Sequence, residues 1–584
     1  MDRYGESDRF VLRAKSNGSF RGMRYIELKV RVEDFACGLA SLGVRRHDRV
    51  ALISENRPEW VISDFAIMHL GAVNVPIYPT LSVKQIEYIF RDAGVEYVVV
   101  SNSVLVKKIM RVKELLPAIK KVISFVDDDY ADPDCIPLRQ VMENGKKFRK
   151  FRPGFLSDEK QKTNPGDLLT LIYTSGTTGT PKGVMLTHKN LVSNITDSAD
   201  SIAFNEDDNI LSFLPLCHSY EKMAGYYAAM ACGVDIAYAE SVDKVLENIL
   251  EIRPTVVTAV PRLFERMYQR VTRYVDRLPF WRRKIFRTAV RLGQRYHRKL
   301  RQGSVPVWDS LLYRLADKLV LGKIRELTGG RIRFFISGGA ALDPALGEFF
   351  EASGILILEG YGLSEASPVI SFNRLDRYKF GTVGIPIPNV EVKIASDSEI
   401  LIRGPNVMLG YWHDESATRE VIDSEGWLHT GDIGLFDSEG FLIVTDRKKN
   451  IFVSSGGKNI APQRIENLFL QHYLVDQFLL VGDGRSFLTA LIVPNFEAVR
   501  EVAGELGLAT DNIAAVVRHD KIFQYYEQQL NKIQQDLASY ERVRKFAILD
   551  HPLTIEEGEL TPSLKVRRRI VEERYKILID KMYE

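Results

Sequence analysis

The sequence predicts an α/β fold: a large N-terminal domain with two stacked βαβ-type sheets and a small β-barrel subdomain, followed by a small mobile α+β C-terminal domain. Three observations predict this class. The 584 residues are too many for one simple domain, and a hydrophobic content of 45% is enough for a large core. Apolar runs alternate with helix-length segments over the first part of the chain. After about residue 380 the pattern changes to short strands joined by polar turns.

The alternating part supplies the two large sheets. Continuous β-branched runs predict buried parallel strands, and the helix-length segments between them predict βαβ crossovers. The predicted strands are residues 49–54, 73–79 ("VNVPIYP"), 97–101, 168–173, 209–216, 234–240, 255–260, 332–339 and 355–362.

Two further changes of pattern set the domain boundaries. The segments "VEVKIASDSEILIRG" and "GLFDSEGFLIVTDR" are typical of antiparallel strands with Ser, Asp and Gly turns, which predicts the barrel-like subdomain at about 380–445. The charged run "DRKKN" at 446–450 then interrupts the strands, and mixed helices and a basic tail follow. We therefore predict an N-terminal domain over 1–445 and a C-terminal domain over 446–584.

The composition argues against several classes of protein. The formal net charge of +3 is nearly balanced, so the overall charge does not point to a nucleic-acid partner. The four cysteines have neither CxxC nor Cys/His spacing, which indicates no disulfide framework or zinc site and favours a cytoplasmic location. The polar start "MDRYGESDRFVLRAK" predicts no signal peptide, and the lack of a run of about 18 apolar residues predicts no membrane span.

One segment, "YTSGTTGTPKGVMLTH" from Tyr173 to His188, combines glycines and hydroxyls after the apolar run "DLLTLIY" and before the helix-like "HKNLVSNI". Glycine at a strand end lets several backbone N–H groups face one anion, the hydroxyls add donors, and Lys182 adds a mobile positive charge. The segment therefore suits a nucleotide triphosphate. Pro181 precedes Lys182 and Gly183 follows it, so a Walker loop is not matched. A flexible surface linker is the alternative that composition leaves open.

The string "YTSGTTGTPKG" resembles the phosphate loop of the adenylate-forming superfamily, which includes acyl-CoA synthetases, luciferases and peptide-synthetase adenylation domains. Six further stretches resemble family motifs, in the family's order and over almost the whole chain. They are "LPLCHSYEKMAG" (214–225), "SGGAAL" (337–342), "EGYGLSEASP" (359–368), "GWLHTGD" (426–432), "TDRKKNIFVSSGGKNIAPQRIE" (445–466) and "GELTPSLKVRRR" (558–569). The pieces "HSYEK" and "PRLFERM" (261–267) look like the long-chain fatty-acyl-CoA synthetase branch.

This resemblance implies ATP-dependent activation of a medium- or long-chain fatty acid in two half-reactions. The carboxylate attacks the α-phosphorus of ATP and gives an acyl-adenylate and pyrophosphate, after which the thiol of coenzyme A displaces AMP. Mg²⁺ is the implied cofactor. Two alternatives stay open: an enzyme that loads an acyl carrier protein, and a non-catalytic, membrane-associated acyl-adenylate sensor or scaffold. Intact Lys182, Glu365, Asp432 and Lys565 argue against the second alternative.

The resemblance also implies roles for single residues in nucleotide binding. Tyr361 stacks on adenine, Ser364 donates to the α-phosphate, and Asp432 binds both ribose hydroxyls. Glu365 is the Mg²⁺ carboxylate, a hard oxygen ligand, with Thr174 beside it. Without the resemblance, Glu365 would be interpreted as a helix-start acid and Asp432 as a turn residue. The implied phosphate-binding residues are Thr174, Ser175, Gly176, Thr177, Thr178, Gly179 and Lys182, and the implied nucleotide-binding residues are Gly338, Gly339, Ala340, Tyr361, Gly362, Ser364, Asp432 and Arg447.

The C-terminal motifs supply the implied moving parts. Lys565 matches the lysine that bridges the acyl carboxylate and the α-phosphate, and it joins Glu365 as an implied catalytic residue, because a compact ammonium neutralises charge between two anions. Lys449 matches the hinge about which the small domain rotates between half-reactions. After rotation, Ser455 and Gly456 would line the channel for coenzyme A.

His218 follows an apolar strand, where a single histidine is more often structural than catalytic. The resemblance places it at the mouth of the acyl pocket, where a group of aromatic size gates access without transferring a proton. The HxxE spacing of His218 and Glu221 would also suit a metal pair. We disfavour that interpretation because no third ligand is near in the sequence.

Residues 273–301 hold eleven Lys or Arg and one acid, Asp276. A four-residue spacing predicts one basic helical stripe, made of Arg283, Arg287, Arg291 and Arg295. The same stretch supplies apolar surface from Phe280, Trp281, Ile285, Phe286, Val290 and Leu292. The pattern favours either a helix that lies on an anionic membrane or an ordinary surface helix with a solvated basic face. The first interpretation predicts peripheral contact with the inner face of the membrane.

Overall fold

The computed structural model describes residues 3–128, 130, 132–175, 180–453, 459–555, 557–561 and 565–584. Within them the strands are, in chain order, β1 (Phe10–Ser16), β2 (Ser19–Arg24), β3 (Arg49–Ile53), β4 (Val73–Ile77), β5 (Tyr97–Val100), β6 (Lys121–Ser124), β7 (Cys135–Pro137), β8 (Leu168–Ser175), β9 (Pro181–Thr187), β10 (Asn209–Ser212), β11 (Asp235–Tyr238), β12 (Val256–Ala259), β13 (Phe334–Ser337), β14 (Leu356–Gly362), β15 (Val369–Phe372), β16 (Ile385–Pro386), β17 (Glu391–Ile394), β18 (Glu399–Arg403), β19 (Gly410–Tyr411), β20 (Leu428–Phe436), β21 (Leu442–Arg447), β22 (Phe452–Val453), β23 (Asn459–Ile460), β24 (Val475–Val481), β25 (Leu488–Pro494) and β26 (Val543–Ile548).

The α-helices are, in the same order, α1 (Tyr25–Ser41), α2 (Pro58–His69), α3 (Val83–Ala93), α4 (Ser103–Leu115), α5 (Leu138–Phe151), α6 (Phe155–Gln161), α7 (His188–Ile202), α8 (Ala229–Ala231), α9 (Val245–Ile252), α10 (Pro261–Asp276), α11 (Phe280–Arg301), α12 (Val307–Ala316), α13 (Gly322–Glu326), α14 (Pro344–Ala352), α15 (Glu415–Val421), α16 (Pro462–Leu470), α17 (Phe496–Glu505), α18 (Ile513–Val517), α19 (Asp520–Ile533), α20 (Arg568–Arg574) and α21 (Lys576–Tyr583). Shorter pieces include the π-helices Glu221–Ala228 and Asp317–Leu321 and the 3₁₀ turns Ser364–Ala366 and Lys448–Asn450. No helix of the described ranges is both long and apolar enough to cross a membrane.

Two large sheets carry the fold. One has nine strands within the described residues, in the order β16-β15-β14-β13-β12-β10-β11-β1-β2, and is parallel from β14 to β1. The other has eight, in the order β19-β9-β8-β4-β3-β5-β6-β7, and is parallel from β8 to β7. Parallel neighbours need long crossovers, and helices supply most of them here. The predicted βαβ architecture is therefore confirmed.

Helices lie between the two sheets and also cover their outer faces. One apolar core fills the space between the sheets, where α1, α2 and α7 pack. A second core packs α3 and α4 on the far face of the eight-stranded sheet, and a third packs α9, α10, α11 and α14 on the far face of the nine-stranded sheet. Burial on both faces explains why strands such as β5 ("YVVV") are apolar without alternation.

The region predicted as a barrel-like subdomain contains a four-stranded antiparallel sheet in the order β17-β18-β20-β21. The chain returns from this region to the eight-stranded sheet at β19, where Tyr411 lies opposite Val184 of β9. This pairing brings Tyr411 alongside the segment that was predicted to bind phosphates.

The C-terminal part has its own sheet, β24-β25-β26, with apolar cores on both faces. Polar contacts connect it to α10, which begins with the "PRLFERM" motif. Arg262 donates to the backbone carbonyl of Asp476 at 2.8 Å, and the side-chain amide of Gln269 donates to the carbonyl of Leu470 at 3.0 Å. The C-terminal part is thereby seated against the nine-stranded half of the molecule.

Candidate active site

The predicted phosphate segment lies at the tip of a β-hairpin. Strands β8 and β9 pair antiparallel, and Thr174 lies opposite Lys182. The sequence indicated the strand before the tip and the helix α7 after it, but not β9 between them. Because opposite residues of a hairpin are neighbours, Thr174 and Lys182 lie beside each other at the base of the tip. Of the other predicted phosphate ligands, Gly176, Thr177, Thr178, Gly179 and the side chain of Ser175 lie outside the described residues.

Lys182 has a weak protein partner. Its Nζ lies 3.7 Å from a carboxylate oxygen of Asp414 and 5.1 Å from the ring centroid of Tyr411. Asp414 also caps α15, since its carboxylate accepts from the N–H of Ala417 at 2.9 Å. An ion pair at this distance between partly exposed groups contributes little, so the ammonium can turn to a phosphate at small cost. The sequence analysis singled out neither Asp414 nor Tyr411.

Glu365 is half-buried on the 3₁₀ turn that follows β14. One of its carboxylate oxygens accepts from the hydroxyl of Tyr411 at 2.9 Å. Tyr411 therefore links the predicted Mg²⁺ ligand to the predicted phosphate-binding Lys182. The hydroxyl of Ser364 lies 2.9 Å from the hydroxyl of Ser219, which joins the "EGYGLSEASP" motif to the "LPLCHSYEKMAG" motif.

Asp432 is the centre of a second cluster and is buried. Tyr361 donates to its Oδ2 at 2.6 Å, and Nε of Arg447 lies 3.1 Å from its Oδ1. Asp432 and Arg447 are register partners on β20 and β21, while Tyr361 comes from β14. Burial, reinforced by the charge of Asp432, raises the pKa of Tyr361 well above its usual range. Three predicted nucleotide-binding residues thus meet from three strands.

Gly338, Gly339 and Ala340 directly follow β13. A Cβ added to Gly338 would lie only 2.9 Å from the ring of Tyr220, and Gly339 has a φ of +82°. The hydroxyl of Tyr220 donates to two backbone carbonyls, at 2.9 and 3.2 Å, which fixes its ring. Glycine is therefore required here both for a close approach and for a left-handed turn. Tyr220 is a packing partner of this turn that the sequence analysis did not identify.

Lys565 lies within electrostatic reach of Asp432, Arg447 and His218. Its backbone is held by a reciprocal pair of hydrogen bonds with Thr561, at 2.8 and 3.0 Å. Solvent reaches the side chain, yet enough protein surrounds the ammonium that burial and the charge of Arg447 lower the pKa of Lys565, while Asp432 opposes them. A residue from the far end of the chain thus lies within electrostatic reach of the other predicted groups.

The imidazole of His218 is neutral at neutral pH. Burial and the charge of Lys565 lower the pKa of His218 to about 4. Its Nδ1 accepts from the N–H of Tyr220 at 3.2 Å. These features agree with a gate that transfers no proton.

Glu221 does not pair with His218 for metal binding. It is fully buried, and its two carboxylate oxygens accept from Ser212 at 2.6 Å and from Thr258 at 2.7 Å. A Cβ on Gly225 would lie 2.3 Å from the carboxylate, so a glycine is needed one turn away. Burial raises the pKa of Glu221 to about 7, although the two hydrogen bonds act in the opposite direction and lower it. Glu221 ties the π-helix Glu221–Ala228 to β10 and β12.

The next residue, Lys222, makes a second buried contact from the same π-helix. Its Nζ lies 3.2 Å from Oδ1 of Asp64, and both side chains are almost fully buried. Tyr226 and Tyr227 donate to the other oxygen of Asp64 at 3.1 and 2.6 Å. A buried ion pair needs such additional donors to offset its desolvation. Glu221 and Lys222 thus fix the segment that carries His218, a role that composition gave no reason to expect.

Lys449 lies in the exposed 3₁₀ turn that follows β21. Its neighbour Lys448 is held by Asp397 at 2.6 Å and by Glu399 at 3.0 Å. The chain is therefore anchored to the four-stranded sheet up to Lys448, and the described residues show no ion pair for Lys449. Ser455 and Gly456, the predicted channel residues, lie outside the described residues.

The donors near Glu365 suit a magnesium ion. One oxygen of Glu365 is engaged by Tyr411, which leaves the other to a cation. The second predicted magnesium ligand, Thr174, carries a hydroxyl oxygen near the end of β8. The described part of the chain has no group of three or more His, Cys, Asp or Glu residues that could hold a metal ion by itself. One carboxylate, from Glu365, and one hydroxyl, from Thr174, form a donor set that Mg²⁺ prefers beside a nucleotide. The ion takes one or two carboxylates and completes its shell with waters and phosphates.

Known proteins match the chain over nearly its full length. Residues 4–412 match the model of the AMP-binding enzyme family, and residues 449–584 match that of the AMP-binding enzyme C-terminal domain. The long-chain-fatty-acid–CoA ligase FadD15 of Mycobacterium bovis is 33% identical, over 99% of this chain and 95% of the relative. The peroxisomal long chain acyl-CoA synthetase 7 of Arabidopsis thaliana is 31% identical, over 100% of this chain and 85% of the relative.

A solved structure shares the fold. The adenylation domain of a carboxylate reductase from Mycobacterium chelonae superposes with a TM-score of 0.77 at 24% sequence identity, over 100% of this chain and 90% of that chain. At this identity the likeness concerns the arrangement of sheets and helices.

Proposed function

Because the chain belongs to the AMP-binding enzyme family, as its seven motifs predicted, we propose that it activates a long-chain fatty acid through an acyl-adenylate to the coenzyme A thioester, releasing AMP and pyrophosphate. The named long-chain ligases among its relatives support the substrate class. One structural observation carries the proposal: Lys565, from the far end of the chain, lies within electrostatic reach of Asp432, Arg447 and His218.

In the first half-reaction the fatty-acid carboxylate approaches the α-phosphorus of ATP. A carboxylate oxygen bonds to phosphorus, the bond to the β-phosphate oxygen breaks, and pyrophosphate leaves. Two anions must meet, so Lys565 neutralises charge between them, and Ser364 donates to the α-phosphate. Lys182 and Thr174, with the hairpin tip between them, hold the β- and γ-phosphates.

The nucleoside is held by the cluster around Asp432. The carboxylate accepts from both ribose hydroxyls, Arg447 lies beside it, and the ring of Tyr361 stacks on adenine. The glycine turn after β13 gives the purine a flat backbone surface. The buried hydrogen bond from Tyr361 supports this role, because it holds the Asp432 carboxylate in one orientation before ATP arrives.

Mg²⁺ is the proposed cofactor. Glu365 and Thr174 would hold it, and it would supply positive charge to the phosphates. Tyr411 orients the carboxylate of Glu365 and lies beneath the ammonium of Lys182, so one tyrosine positions both cationic contacts of the triphosphate.

In the second half-reaction the thiol sulfur of coenzyme A bonds to the acyl carbonyl carbon. AMP leaves, and the thiol proton passes to solvent. The C-terminal domain, proposed to span 446–584, rotates about Lys449 and carries Lys565 away, while Ser455 and Gly456 come to line the channel for the thiol. Anchoring of Lys448 immediately before an exposed Lys449 supports a pivot at this position.

The proposed setting is the cytoplasm, in peripheral contact with the inner face of an anionic membrane through 273–301. Cys37, Cys135 and Cys217 are free thiols, which suits a reducing compartment. An acyl carrier protein is the alternative acceptor, since it presents the same phosphopantetheine thiol.

The test combines three assays on the full chain. Purified protein with ATP, Mg²⁺ and palmitate is assayed for pyrophosphate release with hydroxylamine as trap, then for palmitoyl-CoA with coenzyme A, then for loading of a holo-acyl carrier protein. We expect adenylate trapping without an acceptor and thioester with coenzyme A. Preferential loading of the carrier protein would favour the alternative acceptor. Lack of pyrophosphate release with every fatty acid would refute the enzymatic proposal.

A further inference from the structure

The exposed apolar surface next to the basic stripe is larger than the sequence indicated, because a second helix contributes to it. Helices α11 and α12 form a hairpin. The first turn of α11 exposes Phe280 and Trp281, and α12 exposes Trp308, Leu311 and Leu315. Phe280 is 73% exposed and Trp308 is 76% exposed, which is unusual for such large side chains. We call this surface the hairpin patch.

An apolar groove connects Phe280 and Trp281 to Leu315 within the patch. It runs between α11 and the π-helix that extends α12, has a volume of about 600 Å³, and includes Trp281, Leu315 and Leu319 among its lining side chains. Soluble monomers seldom expose contiguous apolar surfaces of this kind without a partner. An exposed patch of this kind marks an interaction site.

The charge around the patch identifies the kind of occupant. Residues 280–323 contain twelve Lys or Arg and two acids, a net charge of +10. Both acids are neutralised locally: Asp309 pairs with Arg295 at 3.0 Å and with Lys299, and Asp317 pairs with Arg325 at 2.5 Å. The surplus is positive, so the complementary partner is anionic and has an apolar interior.

This geometry also changes the expected anchor. Of the predicted stripe, Arg295 is engaged by Asp309, and Arg283 is only half exposed. Arg287 and Arg291 are exposed, and the described residues offer neither of them an acidic partner. Three of the apolar residues predicted as surface, Phe286, Val290 and Leu292, pack against the core beneath α11. Of the predicted surface, free charge therefore remains at Arg287 and Arg291, and free apolar area remains at Phe280, Trp281 and Ile285.

We propose that the hairpin patch is a membrane-docking surface, in which Trp281, Trp308 and the leucines of α12 insert into the headgroup boundary of an anionic bilayer while the flanking arginines bind lipid headgroups. Tryptophan favours this boundary, and each basic residue near the surface adds attraction to the anionic headgroups. A second copy of the chain is the less suitable occupant, because symmetric pairing of the patch would bring two surfaces of charge +10 together. The inference depends on the proposed function only for its purpose, which is the collection of a membrane-dissolved substrate.

The first experiment uses the intrinsic fluorescence of the full chain. Of its five tryptophans, Trp60 and Trp427 are buried, and Trp412 is half-buried and donates to a backbone carbonyl at 3.0 Å. Trp281 and Trp308 are thus the reporters. With phosphatidylcholine–phosphatidylserine vesicles we expect a blue shift and quenching by brominated lipid, both absent with pure phosphatidylcholine at physiological salt. No spectral change with anionic vesicles would overturn the proposal.

The second experiment compares variants in vesicle co-sedimentation without ATP, fatty acid or coenzyme A. The double variant Trp308→Ser/Leu315→Ser should partition about 10- to 100-fold more weakly, because it removes apolar area that the bilayer would cover. Phe151→Ser, at an equally exposed aromatic on α5, is the matched control and should bind like the unchanged protein. Equal binding of the double variant and the control would overturn the proposal.

The third comparison separates charge from insertion. Arg287→Gln/Arg291→Gln should weaken binding at low salt and reduce its salt dependence, since screened attraction fades over about 10 Å at 0.1 M salt. Light scattering after size exclusion tests the other occupant: a dimer that Trp308→Ser/Leu315→Ser converts to monomer would assign the patch to a second copy and overturn membrane docking. Acyl-CoA formation from dissolved fatty acid is measured on every variant and should be unchanged, so failure of vesicle binding and failure of the proposed enzyme remain distinguishable.

Discussion

Arg447 faces Asp432 across the β20–β21 hairpin, with its Nε 3.1 Å from Oδ1 of the aspartate, and Lys565 approaches the same pair from the other end of the chain. Two cations therefore share the neighbourhood of one buried carboxylate. The triphosphate and the fatty-acid carboxylate are negatively charged, so this positive surplus would attract them. The same attraction would favour placing Lys565, and with it the C-terminal part, next to ATP.

Replacement of Lys565 tests the rotating-domain scheme. We expect Lys565→Ala to reduce adenylate formation by about 10²–10³-fold, the scale for loss of one preorganised charge stabiliser. Thioester formation from supplied acyl-adenylate should persist, because the proposed rotation removes Lys565 from the site. Pyrophosphate exchange and thioester synthesis measure the two steps separately. Arg569→Ala, at an exposed neighbour, is the control, and equal loss in both half-reactions would contradict the scheme.

The pH dependence of adenylation follows from the same lysine. Burial and Arg447 lower the pKa of Lys565, so its ammonium is lost as pH rises, and at lower pH than for an ordinary lysine. We expect an alkaline decline in the adenylation rate of the unchanged enzyme. Lys565→Arg should be slower, because geometry differs, but should lack this decline, because a guanidinium stays protonated. The same alkaline limb in both proteins would assign the decline to another group.

Asp432→Asn tests the ribose site. The amide keeps the shape but removes the charge that Arg447 faces and one acceptor for hydroxyls. We expect kcat/KM for ATP to fall by about 10- to 100-fold, the scale for hydrogen bonds to a charged group. Tyr361→Phe keeps the ring and removes only the donor to Asp432, so its effect should be smaller. A larger loss in Tyr361→Phe than in Asp432→Asn would reverse the proposed roles.

Glu221→Gln tests whether the π-helix positions His218. The amide is isosteric and keeps an acceptor, so folding should persist, while a shifted gate should raise KM for fatty acid and leave KM for ATP unchanged. Glu221→Ala would leave Ser212 and Thr258 without their acceptor and should lower the free energy of unfolding by about 1–3 kcal/mol. If Glu221→Gln raised KM for fatty acid and KM for ATP equally, a specific role of Glu221 in positioning the acyl gate would be excluded.

The same glutamate gives a pH signature in stability. Because burial raises the pKa of Glu221 from 4.5 to about 7 in the folded protein, its stabilising effect is complete below pH 4.5 and is lost as pH rises through 7. The change is on the order of 1–3 kcal/mol. Denaturant unfolding between pH 5 and 8 should show a flatter dependence for Glu221→Gln than for the unchanged protein.

Two variants test the pivot and the thiol channel. Lys449→Pro fixes φ and removes a backbone donor at the proposed pivot, and Gly456→Leu should block the channel. Both should exchange pyrophosphate into ATP at near-normal rates yet make little acyl-CoA. Lys448→Ala is a useful comparison, since it removes the anchor before the pivot without restricting φ. Normal acyl-CoA production by either main variant would exclude the role assigned to that residue.

The sequence by itself determined the sheet architecture and the family. Continuous β-branched runs require burial on both faces, and this local property predicted most parallel strands of the two large sheets, although not β1, β6 or β7. The seven motifs identified the family because each is a short stretch that can be recognised locally, and all of them occur along the chain in the family's order. Lys182, Glu365, Asp432 and Lys565 could be named in this way, although nothing in the sequence placed them near one another.

The tertiary structure alone decided which residues are neighbours. Tyr411 reaches Glu365 and Lys182 through the pairing of β19 with β9, and Tyr220 packs on Gly338 across more than a hundred residues. Hydrophobic periodicity reports which face of one element is buried, not which distant element covers it. For the same reason the stripe on α11 could be predicted from its spacing. The exposure of Trp308 on α12 and the ion pair between Arg295 and Asp309 could not, because both depend on how the two helices pack.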